Sequence, residues 1–142
     1  MKKAYLDCNI LLDWLLDREP FSTDAARIIS ITESKAMKSF VSPLTLANTW
    51  YLLHRATNRK IAEAFLLDAL NLFQIVDVTE KATRQAVVNR FRDFEDDLHY
   101  FATLDAGLDC IITRNQADFP EDNIEILDAG GFIKKYGLDV SG

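Results

Sequence analysis

Residues 93–113 read DFEDDLHYFATLDAGLDCIIT, and the reading of this stretch decides the fold class. It opens on acids at Asp93, Glu95, Asp96 and Asp97, which suit the first turn of a helix because they complement its dipole. Leu98, Phe101, Ala102 and Leu104 then recur at helical spacing, and Gly107 is well placed to end the helix. The next residues, Asp109 to Thr113, are mostly apolar with no polar alternation, as expected of a strand covered on both faces. A helix running straight into such a strand is a building unit of a parallel α/β sheet.

The same alternation extends to both sides. Lys3 to Asp7 reads as a first strand ending in an acid, and Ile10 to Leu16 as a helix stopped by Pro20. Ser22 is placed to cap a second helix, whose stripe of Ala25, Ile28 and Ile29 weakens at Thr32. Ser39 to Val41 is a short second strand. Ser42-Pro43 opens a helix with Leu46, Trp50 and Leu53 on its apolar side. Ile61 to Phe73 predicts another helix, Gln74 to Val78 a strand, and Thr79 a cap for the helix after it. Ile124 to Leu127 is a last short strand, and Asp128-Ala129 leads into a final turn or helix near Phe132. The expected architecture is α/β: a central parallel sheet flanked by helices in three layers, α/β/α. The 142 residues suit one domain, with a core over about residues 3–133.

Composition narrows the class of function. At 49% hydrophobic and 27% charged residues the chain is ordinary for a soluble globular protein. No run of 18 apolar residues occurs, so no membrane helix is expected. Lys2 and Lys3 precede an apolar stretch, but Asp7, Asn9 and Asp13 interrupt it and no small-residue cleavage site follows, so the expected compartment is the cytoplasm. Cys8 and Cys110 lie in or beside strand-like apolar runs, outside any CxxC spacing, and read as core residues. The net charge of −6 argues weakly against non-specific nucleic-acid binding. Clustered carboxylates lower net charge, however, and a bound divalent cation restores local attraction for phosphate.

Sites in open parallel sheets form beyond the carboxyl ends of the strands. Asp7 closes the first strand; Thr113, Asn115 and Asp118 follow a later one. The helix that leads into that later strand must descend to its start, so its acidic N-terminus belongs at the same edge. Two or three aspartates gathered there match the oxygen preference of magnesium. A structural reading stands beside this one. Asp7 would cap the helix near Asn9, Asp93, Asp96 and Asp97 would complement a helix dipole, and Asp118 would be a turn residue.

The quoted residues also carry a resemblance. YLDCNILLD at 5–13, SPLTLANTWYLL at 42–53, DFEDDLHYFATLDAGLDCIITRN at 93–115 and the trailing Asp118-Phe119 look like the motifs of a PIN domain, in order and at the expected spacing, over about Lys3 to Ile133. The nearest likeness is to VapC-like toxin ribonucleases and their bacterial relatives. The resemblance implies a parallel sheet flanked by helices and metal-dependent cleavage of RNA, often by the toxin of a toxin–antitoxin pair. It implies Asp7, Asp96 and Asp118 as catalytic and metal-binding residues, with magnesium or manganese as cofactor and Asp97 as a neighbour. It also brings RNA as substrate, an antitoxin protein as partner and a homodimer as the assembly. Two positions depart from the pattern: Asn48 stands where many members have glutamate, and Asn115 where many have aspartate. Both leave a less negative site, for which weaker metal binding and altered or lost activity are expected.

Other residues complete the reading. Asn9 and Thr113 are placed to orient ligands, and Arg114 to contact a phosphate. Glu95 and Asp93 read as solvated helix-start residues, His54 and His99 as non-catalytic, and Trp14 and Trp50 as core or, in a sharper reading, as a dimer or antitoxin interface. Arg55, Arg59, Lys60, Arg84, Arg90 and Arg92 read as solvated surface or as phosphate contacts. Two competitors remain: a PIN-fold binding module without chemistry, and a phosphohydrolase of small phosphate esters. The second lacks a DxDxT-like nucleophile motif, since Cys8 and Asn9 follow Asp7.

Overall fold

A computed structural model describes residues 1–89, 93–120 and 123–137. The chain runs β1 (Lys2–Leu6), α1 (Cys8–Leu15), α2 (Ser22–Glu33), β2 (Met37–Val41), α3 (Pro43–Ala56), α4 (Arg59–Leu72) and β3 (Gln74–Ile75). It continues with α5 (Glu80–Val88), α6 (Phe94–Asp105), β4 (Cys110–Ile112), a short 3-10 turn (Gln116–Asp118), β5 (Glu125–Leu127) and α7 (Ala129–Tyr136). Among the described residues the five strands form one sheet in the order β3-β2-β1-β4-β5, every pairing parallel.

β1, β2 and β4, in the middle of the sheet, send apolar side chains to both faces, and both faces are covered. Ala4 and Leu6 of β1, Met37 and Val41 of β2, and Cys110 and Ile112 of β4 enter one core with residues of α1, α2, α3, α4 and α7. Tyr5, Phe40, Ile111 and Ile126 point the other way, into a second core closed by α5 and α6. The two-residue side-chain period of a strand divides each run between the cores. The result is a three-layer α/β/α architecture, as the sequence predicts.

Local signals set most boundaries. Ser42 and Thr45 form a reciprocal capping box with Pro43 in the first turn of α3, Thr79 caps α5, and Asp128 caps α7. Gly107 takes the left-handed backbone (φ 70°) that ends α6. Thr32, where the α2 stripe weakens, is buried because its hydroxyl bonds to the Ile28 carbonyl (2.8 Å) and the Ser39 hydroxyl (2.7 Å).

Two expectations need correction. Ser22 is the first residue of α2, not its cap. The backbone N–H groups of Phe21 and Ser22 both donate to the Arg18 carbonyl, which winds the chain directly into the helix, and the Ser22 hydroxyl turns back to Glu19. The third strand stops at Ile75, well short of Val78: it pairs only with the end of β2, and ladder bonding closes with Val76 N–H on the Val41 carbonyl. Arg90 and Arg92 lie outside the described residues. Trp14 and Trp50 are half-buried against the first core. No helix of the described residues is long and apolar enough to cross a membrane.

Candidate active site

β1 and β4 are parallel neighbours in register, Leu6 opposite Ile112, so the residues that leave them emerge together at the carboxyl edge. Asp7 N–H donates to the Ile112 carbonyl at 3.0 Å, which carries the pairing one residue past the strand. The Asp7 side chain then does two things. Its Oδ1 accepts the Cys8 N–H at 2.8 Å and so caps α1. Its Oδ2 accepts the Thr113 hydroxyl at 2.8 Å and the Asn9 amide at 3.4 Å. The structural and the chemical reading of Asp7 are therefore compatible, because each carboxylate oxygen keeps a further lone pair.

Thr113, fully buried, accepts the Asn115 N–H (3.0 Å) at the same oxygen that donates to Asp7. Asn9 accepts the Arg114 N–H at 3.2 Å through its side-chain oxygen. Asn9 and Thr113 thus fix the orientation of the Asp7 carboxylate, which is itself only 6% exposed.

Asp96 lies in the first turn of α6, half-buried. Asp93 is the cap: its side chain accepts the Asp96 N–H at 3.1 Å, so the Asp96 carboxylate is not needed there. Burial raises the Asp96 carboxyl from 3.8 to about 7, with Asp7, Asp93 and Asp118 adding repulsion and His99 opposing it. Asp118, half-buried, ends the 3-10 turn that follows β4. Asp7 and Asp118 thus each act electrostatically on Asp96. Among the described residues, no three His, Cys, Asp or Glu side chains stand close enough to hold a metal ion as they are placed.

The other predicted residues take varied places. Asp97, next to Asp96, is buried within α6. Asn115 is exposed and reaches the group through its backbone. The Asn48 amide donates to Glu95 across the gap between α3 and α6 at 2.6 Å. The Arg114 guanidinium is committed to Asp13 (2.7 and 3.1 Å) and stacks over the Phe21 ring at 4.1 Å. Asp13 is fully buried and also pairs with Arg18 at 2.9 Å. Sequence reasoning missed this double pairing. The available signal was a lone acid inside the apolar helix NILLDWLL, which a buried face tolerates only if the charge is matched. Cys8 is half-buried and Cys110 buried, both free. Burial, reinforced by neighbouring carboxylates, pushes each thiol up to about 12.

Carboxylate oxygens are the donor type that a hard divalent cation prefers. All three predicted ligands are carboxylates, and their mutual repulsion is what such an ion relieves.

The family model for the PIN domain matches residues 3–117. No curated protein matches the sequence. Solved structures that the chain resembles include Mycobacterium tuberculosis VapC20, a toxin described as cleaving the sarcin-ricin loop, at 18% identity. That likeness covers 81% of this chain and 92% of that one, with a TM-score of 0.67. DNA-bound VapBC from Salmonella typhimurium is 17% identical over 91% of this chain and 99% of that one, TM-score 0.69. VapBC2 from Rickettsia felis, bound to a promoter DNA fragment, is 14% identical over 89% and 98%, TM-score 0.64. At these identities the likeness is one of fold.

Proposed function

The chain belongs to the PIN-domain family, and from that premise we propose that it is a divalent-cation-dependent endoribonuclease that hydrolyses RNA phosphodiester bonds. Asp7, Asp96 and Asp118 hold magnesium or manganese in this reading. The observation that carries it is the Asp7 carboxylate, buried beyond the paired ends of β1 and β4 and fixed there by the Thr113 hydroxyl and the Asn9 amide. Asp96 is not needed as a cap, since Asp93 already caps α6, and Asp7 keeps free lone pairs beside its capping bond.

When bound, the cation neutralises charge on the scissile phosphate and acidifies a water. The protein's residues do the rest. Thr113 and Asn9 hold the Asp7 carboxylate in one orientation, so no reorganisation is needed when RNA arrives. Asp96 and Asp118 supply the remaining negative charge. Hydrolysis adds water at phosphorus, breaks one P–O bond and returns a proton to the leaving sugar oxygen.

The solved VapC and VapBC structures support extending the proposal to the toxin of a toxin–antitoxin pair, with an antitoxin protein as partner; a homodimer is the assembly proposed with it. A second reading, a PIN-fold binding module without catalysis, draws on the neutral Asn48 and Asn115 and on the lack of a ready three-ligand group among the described residues. One experiment separates them. Manganese-supported cleavage of RNA that EDTA and Asp7→Asn both abolish is expected. Equal nicking by wild type and Asp7→Asn would remove the enzyme claim, and RNA binding without cleavage would favour the binding module.

A further inference from the structure

α3 turns Thr45, Thr49 and Leu53 into the protein. Spacings of three and four residues then put Asn48, Tyr51 and Arg55 together on its outer side. Asn48 marks where that stripe begins. Its amide donates to Glu95 of α6 at 2.6 Å, so this end lies beside the segment that carries Asp96. Tyr51 follows one turn on and is 53% exposed. Arg55 follows a further turn on, also exposed, roughly 10 Å from Asn48 along the helix axis. The flat groups of this face are already stacked. The Arg55 guanidinium lies over the Tyr51 ring at 5.7 Å, and the His54 ring stacks on Trp50 at 5.1 Å with 4° between the planes. Trp50 packs against the first core, which gives the face a fixed backing. Among the described residues Arg55 pairs with no carboxylate, which leaves its N–H donors for another acceptor. The charge around it is one-signed. Residues 34–62 hold five Lys or Arg and no acid, in a chain with 22 Asp or Glu. Arg59 and Lys60 carry that charge past the end of α3, Arg59 sharing it with Glu63 at 3.3 Å.

We propose that this outer face of α3 is a track for single-stranded RNA leading to the carboxyl edge of the sheet. Tyr51 stacks on an unpaired base, and Arg55 takes a phosphate. The proposal rests on the nuclease reading above and deepens it, because it assigns the class of RNA that reaches the site. An exposed ring beside a guanidinium suits a polyanion whose bases have open faces. A duplex keeps its bases stacked on one another and offers Tyr51 nothing to stack on. Glu95 stands at the near end of the stripe, so the phosphate contact falls to the far end, at Arg55.

The test is fluorescence anisotropy of a labelled single-stranded RNA oligonucleotide of mixed sequence, titrated with the full chain in EDTA, where metal-dependent cleavage is silent. Wild type, Tyr51→Ala, Tyr51→Phe and Arg55→Gln are compared, and circular dichroism checks the fold of each. Tyr51→Ala is expected to weaken binding about tenfold, while Tyr51→Phe, which keeps the ring, binds like wild type. Arg55→Gln is expected to reduce the slope of log affinity against log salt by about 0.7, the mark of one lost phosphate contact on a single strand. The same RNA annealed to its complement is expected to bind more weakly. Wild-type affinity in both Tyr51→Ala and Arg55→Gln overturns the track. If those variants instead change the oligomeric state in sedimentation, the face belongs to a second copy of the chain. An equal loss in Tyr51→Phe and Tyr51→Ala overturns stacking, and an unchanged salt slope in Arg55→Gln overturns the phosphate contact. A wild type that binds no RNA overturns the track as a whole. Cleavage in manganese is scored separately: binding without cleavage removes the nuclease reading alone, and cleavage unaltered in the variants removes the track alone.

Discussion

Neutralising Asp96 should stabilise the metal-free protein, and by an amount that depends on pH. The folded chain holds this carboxyl at about 7 against an ordinary 3.8. Below the ordinary value both folded and unfolded chains are protonated at Asp96, and no penalty exists. Between the two values the unfolded chain ionises first, so folding binds a proton and stability falls as pH rises. Above about 7 the folded state carries the full penalty. The gap of about 3 pH units between 3.8 and about 7 sets an upper bound of ~4 kcal/mol. Asp96 is partly exposed, and solvent screening brings the expected effect down to ~1–2 kcal/mol. Asparagine keeps the shape without the charge, and the Asp93 cap on the Asp96 N–H is untouched. Urea denaturation of wild type and Asp96→Asn in EDTA, across the range from about pH 4 to about pH 8, measures the difference. The two should coincide near the acid end and separate by ~1–2 kcal/mol in favour of the variant above neutrality. A variant that is equally or less stable than wild type at the alkaline end refutes the claim that burial and neighbouring acids make the Asp96 carboxylate costly in the folded chain. Adding manganese should raise the melting temperature of wild type far more than that of the variant.

Thr113→Val removes the hydroxyl that holds Asp7 Oδ2 and should cost about 1–2 kcal/mol of stability in chemical denaturation. It should also weaken manganese binding about 10–100-fold by titration calorimetry; unchanged affinity would show that Asp7 needs no orienting partner. Asp13→Ala leaves Arg18 and Arg114 without their shared buried counter-charge, and about 3 kcal/mol should be lost. That figure sits at the low end for buried pairs because both guanidinium groups reach solvent, and a loss under about 1 kcal/mol by urea titration would contradict the pairing. Asp93→Ala should cost about 1 kcal/mol as the loss of a helix cap, with no change in manganese affinity.

Much of the architecture follows from short-range rules. The helix stripe of residues 98–104, the uninterrupted apolar strand at 110–112 and the left-handed stop at Gly107 each follow from chemistry within a few residues. So do the caps at Ser42 and Thr79. The local rules failed where a boundary depended on distant chain. β3 ends when β2 offers no further partner, and α2 begins without a side-chain cap because the preceding turn already holds its first N–H groups.

The sequence by itself determined the parallel α/β/α class, the position of Asp7 after the first strand and of Thr113 after a later one, and an acidic start to the helix between. Those are consequences of periodicity, capping and strand composition, which act locally. Only the tertiary structure decided which side chains meet. Thr113 reaches Asp7 across 106 positions because β4 lies beside β1. Arg114 turns away to Asp13, and Glu95 is drawn to Asn48. Such pairings depend on strand order and on how helices cross, and a carboxylate has the same local preferences whether it caps, repels or binds.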